Sequence, residues 1–247
     1  MRRCSALFTV LSLLPAVAAG AEVEYSYQFA TAWSDPYDSE IILTEDITVT
    51  LENTLQTSTA KIITATDPST SLIFGNDPYL TDPWLCCSES DITIGSLTLE
   101  AHNTTSGLQW GLLRAEQQLH VSGSLTIRLG DDTADASTGT SLLYGGTGLS
   151  FADDITLTID LSDLSGGLDP NTSYILFETP TLFDGNVPAY TLLGGRPNIT
   201  LVTEISSGTS PTATRIILTT INIPEPGSST LIFLAFATTI MRRKRSL

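Results

Sequence analysis

Two histidines, one adjacent pair of cysteines and a scatter of carboxylates are the groups in this 247-residue chain that could do chemistry. His102 and His120 stand in alternating or semi-helical stretches, and neither has a metal-ligating partner at a useful spacing. No nucleophile elbow, zinc spacing or phosphate loop occurs, which argues against phosphoryl transfer and Ser-His-Asp hydrolysis. Cys86 and Cys87 are the thiols of the body, since Cys4 lies in the leader described below. Neighbouring cysteines bridge only through a strained ring. That leaves free thiols, an intermolecular bridge, an occasional vicinal disulfide, or two small buried hydrophobes beside Trp84 and Leu85.

The acidic groups fare no better as a site. Asp131, Asp132 and Asp135 form a dense acidic loop, but no glutamate closes it as a helical calcium loop requires. Asp153 and Asp154 are adjacent, so on a strand they point to opposite faces. Glycoside cleavage needs two carboxyls facing each other across a cleft, and no pair among 27 acids is singled out by spacing. Gly145-Gly146-Thr147-Gly148-Leu149-Ser150-Phe151 resembles the calcium-binding nonapeptide of RTX repeats. It occurs once, with Ser150 at the aspartate position, and reads better as a tight glycine turn. The expectation is therefore no catalytic residues, no metal and no cofactor.

The elements carrying these residues read as nearly all β. EIILTEDITVTL, DITIGSLTLEA, VSGSLTIRL, DITLTIDL and RIILTTINI alternate with period two, and turn residues separate them. Leu108 to Val121 comes nearest to helical spacing. Asp46-Ile47-Thr48, Asp91-Ile92-Thr93 and Asp154-Ile155-Thr156 each open an alternating strand, and their two separations stand nearly in the ratio two to three. They equal two and three turns of a coil of roughly 21 to 23 residues, a plausible solenoid rung. A short right-handed parallel β-helix is thus favoured over the alternative, an antiparallel β-sandwich. Asn171 to Glu178, followed by Asp184-Gly185, loosely resembles the closing segment of autotransporter-type β-helices.

Charge narrows the partners. The chain carries a net charge of −16, yet six of its eleven basic residues lie at the extreme ends. Between them, 27 acids face only Lys61, Arg114, Arg128, Arg196 and Arg215. So acidic a body repels phosphate backbones, which excludes nucleic acid as a partner.

The two ends read as addresses. Arg2 and Arg3, the apolar run Leu7 to Leu14 and the small residues that follow have the layout of a secretory signal peptide over residues 1–21. Ala19-Gly20-Ala21 forms an A-x-A cleavage site, with Ala16-Val17-Ala18 as a rival. The exported β-rich domain spans residues 22–221. At the other end, Pro224-Glu225-Pro226 precedes an apolar stretch at 229–241 and the cluster Arg242, Arg243, Lys244, Arg245. The segment from Gly227 to Met241 would rise roughly 22 Å as a helix, short for a bilayer core of about 30 Å. The basic cluster stays on the cytoplasmic side, as the signal peptide also demands.

Residues 222–247 resemble a bacterial PEP-CTERM sorting signal, with Ile223 where the common form has Val. The resemblance concerns this C-terminal segment alone and implies an address, not an activity. It implies export by the Sec machinery, a single-pass membrane precursor held by its C-terminal helix, and processing by an exosortase-type enzyme. The product then lies at the cell surface or outside, in bacteria that make extracellular polysaccharide. The implied function is that of a non-enzymatic surface or matrix protein. The alternative is a carbohydrate-binding or carbohydrate-cleaving β-helix, which a long groove lined by aromatics and two facing carboxylates would favour. Trp33, Trp84 and Trp110 are too scattered in sequence to decide it.

Overall fold

The computed structural model describes residues 20–49, 55–75, 86–102, 113–131, 133, 141–164, 172–181, 187–194, 199–206 and 213–220. A short strand, β1 (Ala21–Val23), and one helix, α1 (Ser26–Ser34), come first. A three-sided coil follows. Its first round is β2 (Glu40–Leu43), β3 (Ile47–Val49) and β4 (Leu55–Thr57). The next is β5 (Lys61–Ala65), β6 (Ser71–Gly75) and β7 (Cys86–Ser88). In β8 (Ile92–His102) and β10 (Gln118–Gly130) one long strand bends through two sides, and β9 (Leu113–Ala115) and β11 (Ser141–Gly145) supply the third. The last round is β12 (Gly148–Phe151), β13 (Thr156–Asp163) and β14 (Tyr174–Thr179). β15 (Tyr190–Leu193), β16 (Ile199–Ser206) and β17 (Ala213–Thr220) end it.

Strands of successive rounds pair in parallel, as a β-solenoid requires. Ile41 lies beside Ile63, Ile63 beside Ile94, Ile94 beside Val121, and Val121 beside Phe151. The antiparallel sandwich is thereby overturned as the body's architecture. Antiparallel pairing among the described residues is confined to β14–β17 and β16–β17. On the third side Tyr174–Thr179, in the segment likened to an autotransporter closure, is parallel to β11 and antiparallel to β17, while β15 still pairs in parallel with β13.

Two expectations about period need correction. Along the column just named, the step from Ile41 to Ile63 is much shorter than the step from Ile63 to Ile94, so the rung has no constant length. The Asp-Ile-Thr triplets do not share one column either, because Asp46 and Asp154 precede second-side strands and Asp91 a first-side strand. Two of them nevertheless do the same job. Asp46 Oδ1 accepts the N–H of Ser71 at 2.8 Å, and Asp91 Oδ1 that of Gln118 at 2.9 Å. Each carboxylate thus holds the residue that opens a strand of the following round. The semi-helical stretch is extended where described, as β9 and the start of β10. Its alternation continues across the corner, and stacking outweighs weak helical spacing.

The interior is a set of stacked aliphatic columns. Ile47, Leu72, Leu99, Ile127, Ile159 and Leu192 form one such column. All but Leu192 are at most 1% exposed. Burial of each such side chain contributes about 1.5–3 kcal/mol. Corners require small residues: a Cβ on Gly95 would lie 1.8 Å from the Ser122 carbonyl oxygen, and Gly123 takes a φ of +62° above Ser96. Gly145 to Gly148 turn the chain between β11 and β12, where a Cβ on Gly146 would meet the Glu116 carbonyl at 2.3 Å.

A coil must also end, and α1 covers its first round. Phe29 and Trp33 pack inward from α1 with ring centroids 5.9 Å apart, and both are fully buried. Lys61 stands on the inward column that continues as Ile92, Leu119 and Leu149. Its side chain is 0% exposed, and the ammonium donates to three backbone carbonyls: Ala32 at 2.9 Å, Asp35 at 2.7 Å and Asp38 at 2.5 Å. All three donors are used, and two of the acceptors lie at the helix's C-terminal end, where the macrodipole favours a cation. Burial pulls the Lys61 pKa below its ordinary value, while the charges of Asp38 and Asp35 oppose that fall. Lys61→Met should lower stability by about 3 kcal/mol, because the carbonyls lose a charged donor. Urea denaturation checks this, and an unchanged midpoint would refute it.

Candidate functional site

Outward side chains also stack, and they make three surfaces on which function could rest. On the second side, Ile73, Glu100, Arg128, Asp160 and Leu193 occupy one column. Arg128 joins Glu100 on one flank and Asp160 on the other, the latter at 3.1 Å, with Asp163 at 4.0 Å. Glu100 also accepts the Ser71 hydroxyl at 2.6 Å. Burial alone would raise the Asp160 pKa, but bonds from Ser162 and Arg128 carry it below its ordinary value. The cluster therefore ties adjacent rounds together. The one cation offsets part of the charge of the carboxylates around it, and the cluster stays net negative.

On the third side, Gln56, Cys87, Arg114, Tyr144, Glu178, Arg215 and Glu204 stack in register. Arg114 lies 4.6 Å over the Tyr144 ring and pairs with Glu116 at 2.7 Å. Arg215 pairs with Glu178 at 3.1 Å. Cys86 and Cys87 are both free and buried, with Cys86 in the core column and Cys87 on the outward one. The Cys87 Sγ donates weakly to Glu116 Oε1 at 3.8 Å. Burial, then the Glu116 charge, pushes the Cys87 thiol up to about 11. Such a thiol is almost entirely protonated at pH 8 and makes a poor nucleophile.

The third surface is the outer face of α1. Tyr27, Thr31 and Ser34 share one side of the helix by their spacing, and the chain then runs through Asp35 and Pro36 to Tyr37. A shallow open groove of about 630 Å³ lies against this face, with Leu55 on its far wall. Tyr25, Tyr27 and Tyr37 are 56%, 68% and 87% exposed, and the rings of Tyr25 and Tyr27 stack at 5.9 Å. Other aromatics on the described coil, such as Phe74, Phe151 and Phe177, are buried or partly buried.

The residues singled out from sequence fall as follows. Ala21 is in β1, paired with Ile41 and partly buried against the core. Ala19, Pro224, Glu225, Pro226, Arg242, Arg243, Lys244 and Arg245 lie outside the described residues, as do Asp132, Asp135, Trp84 and Trp110. Among the described residues no helix is long and apolar enough to cross a membrane. No group of three or more His, Cys, Asp or Glu there could hold a metal. His120 Nδ1 meets the Ser150 hydroxyl of the next round at 2.8 Å. Trp33 is no sugar platform, because it plugs the coil. Sequence reasoning missed the exposed tyrosines, although five aromatics between Tyr25 and Tyr37 were a visible signal. Compared with family models, curated proteins and solved structures, the chain finds no match.

Two outcomes follow from the ladders. Arg128→Met should cost about 1 kcal/mol at pH 7, the upper end for a solvent-screened ion pair. Two carboxylates lose their partner, but a third of the Arg128 side chain is exposed and water screens what remains. Asp160's folded pKa is depressed, so its contribution is present above the ordinary value of 3.8 and vanishes as pH falls through the folded one. The difference in Tm between wild type and variant should therefore close on acidification through and below that ordinary value. Separately, neither thiol should react with iodoacetamide at pH 8 until the protein is unfolded in urea. Rapid labelling of the folded protein would contradict the buried placement.

Proposed function

We propose that this chain is a non-enzymatic exported protein of the cell surface or extracellular matrix, a short right-handed β-helix delivered by its two end segments. What supports the reading is the order of the linear motifs on either side of a repetitive acidic β-solenoid. A positive and apolar leader stands at one end, and Pro-Glu-Pro, an apolar run and a basic cluster at the other. On this reading residues 1–21 engage the Sec machinery, with cleavage at the Ala19–Ala21 motif, or after Ala18, which leaves β1 whole. Residues 229–241 form the transient membrane helix. Arg242, Arg243, Lys244 and Arg245 lock it from the cytoplasm, and an exosortase-type enzyme acts at Pro224-Glu225-Pro226. Two prolines keep that segment extended and accessible to a processing enzyme. The right-handed winding is the sense that strand twist favours for parallel crossovers.

A carbohydrate-binding role is the second reading, and the exposed tyrosines at the α1 end favour it. Cleavage would in addition need two carboxyls facing each other across a cleft, one of them protonated near neutral pH. Intact masses of the protein from membrane and medium of the native cells test the first reading. The released species should lack the leader and everything beyond the Pro-Glu-Pro region. A full-length tail in the membrane fraction, with no shorter species in the medium, would make residues 222–247 a permanent anchor instead.

A further inference from the structure

We propose that the outer face of α1 is a binding platform for neutral polysaccharide chains, a reading that rests on the matrix role above. Exposed aromatic rings cost solvation, and one short segment carries three of them, Tyr25 stacked on Tyr27 at the start of α1 and Tyr37 just past its end, which calls for an occupant. Tyrosine presents an apolar face with a polar tip, which suits a sugar ring that is apolar on its C–H faces and polar at its edges. Of the three rings Tyr37 lines the groove, with the Ser34 and Thr31 hydroxyls and the Asp35 carboxylate. The Thr31 proton goes to the Tyr27 carbonyl, and one Asp35 oxygen holds the Tyr37 N–H. Their remaining acceptor capacity can pair with sugar hydroxyls directly or through water. The site is shallow and open rather than enclosed, which disfavours a small apolar ligand.

Charge selects the kind of polymer. Residues 22–60 hold eight carboxylates and no lysine, arginine or histidine. The first cation after them, Lys61, is buried and satisfied by three carbonyls. An anionic polysaccharide or an anionic membrane would meet repulsion with no compensating pair. Tyr27 to Ser34 spans roughly 10 Å of helix, and Tyr37 lies beyond, so the platform takes a run of sugars rather than one. Affinity should accordingly rise with oligosaccharide length.

Affinity electrophoresis tests this with the purified body migrating through gels containing dextran, a soluble β-glucan, galactomannan or alginate. At least one neutral polymer should retard the wild type and alginate should not. Tyr27→Ala/Tyr37→Ala should weaken that retardation about tenfold or more. Both rings are mostly exposed, so the urea midpoint should not move and a folding defect is separable. Retardation unaffected by the double substitution overturns the platform but leaves a polysaccharide-binding matrix protein standing. Binding to alginate alone, or to a proline-rich peptide with no glycan, also overturns it. No retardation by any polymer, the native extracellular polysaccharide included, overturns the platform and the carbohydrate-binding reading, while the exported surface protein stands or falls on the intact masses above.

Discussion

A lysine ammonium closed inside an aliphatic column is the interaction on which the start of this coil depends. A solenoid gains stability by stacking each round on the next, so its first round has a bare face unless something covers it. Here α1 provides the cover, and Lys61 fixes where the helix ends. Burying that charge is tolerable because three carbonyls replace water around it. The same bonds hold the end of the helix whose Phe29 and Trp33 pack inward and whose opposite face, with Tyr27, turns outward. Capping and the candidate platform are thus two faces of one helix.

At the other end the device is different. β17 pairs antiparallel with β14, and β16 with β17, so the third side is extended by a hairpin instead of another round. Tyr190 in β15 donates or accepts through its hydroxyl at Thr200 and receives the Leu201 N–H at 3.1 Å, joining the two sheets near this end. Between the ends, the outward ladders hold the rounds in register. Arg128, Arg114 and Arg215 are three of the five cations in the body, and each pairs with a neighbouring carboxylate. A strongly acidic surface is left, which favours solubility.

The β character and parallel stacking were legible because inward Ile and Leu alternate with outward Thr, Ser and acids. The rung length was not. The step from Ile63 to Ile94 exceeds that from Ile41 to Ile63 by far more than the one residue by which a corner such as Ser96–Gly123 varies. The connections between strands set that difference, so the near-integral spacing of Asp-Ile-Thr triplets was a false guide. Their real meaning, a carboxylate gripping the next round, needs coordinates to see. Helix α1 escaped notice because nine residues are too few for a clear period, and its N-cap is Tyr25 in place of Ser, Thr, Asp or Asn. Gln28, which reaches back to the Tyr25 N–H, thus stood as half a capping signal. Lys61 was visible as the lone lysine of the body, placed in alternation with Ile63 where a core residue belongs. Position on a strand outweighed the usual rule that lysine is exposed. The sorting-signal resemblance rests on linear motifs alone, so it was as legible before the fold as after it.

The most direct test of the closed first round is residue-resolved hydrogen exchange on the native protein. If α1 and Lys61 seal that end, the amides of Ile62 and Ile63 should be protected to nearly the same degree as those of Thr126 and Ile127 in β10. Exchange at β1, β2 and β5 faster by orders of magnitude than at β10 would mean that the end frays. Lys61 would then be no anchor, and α1 no platform.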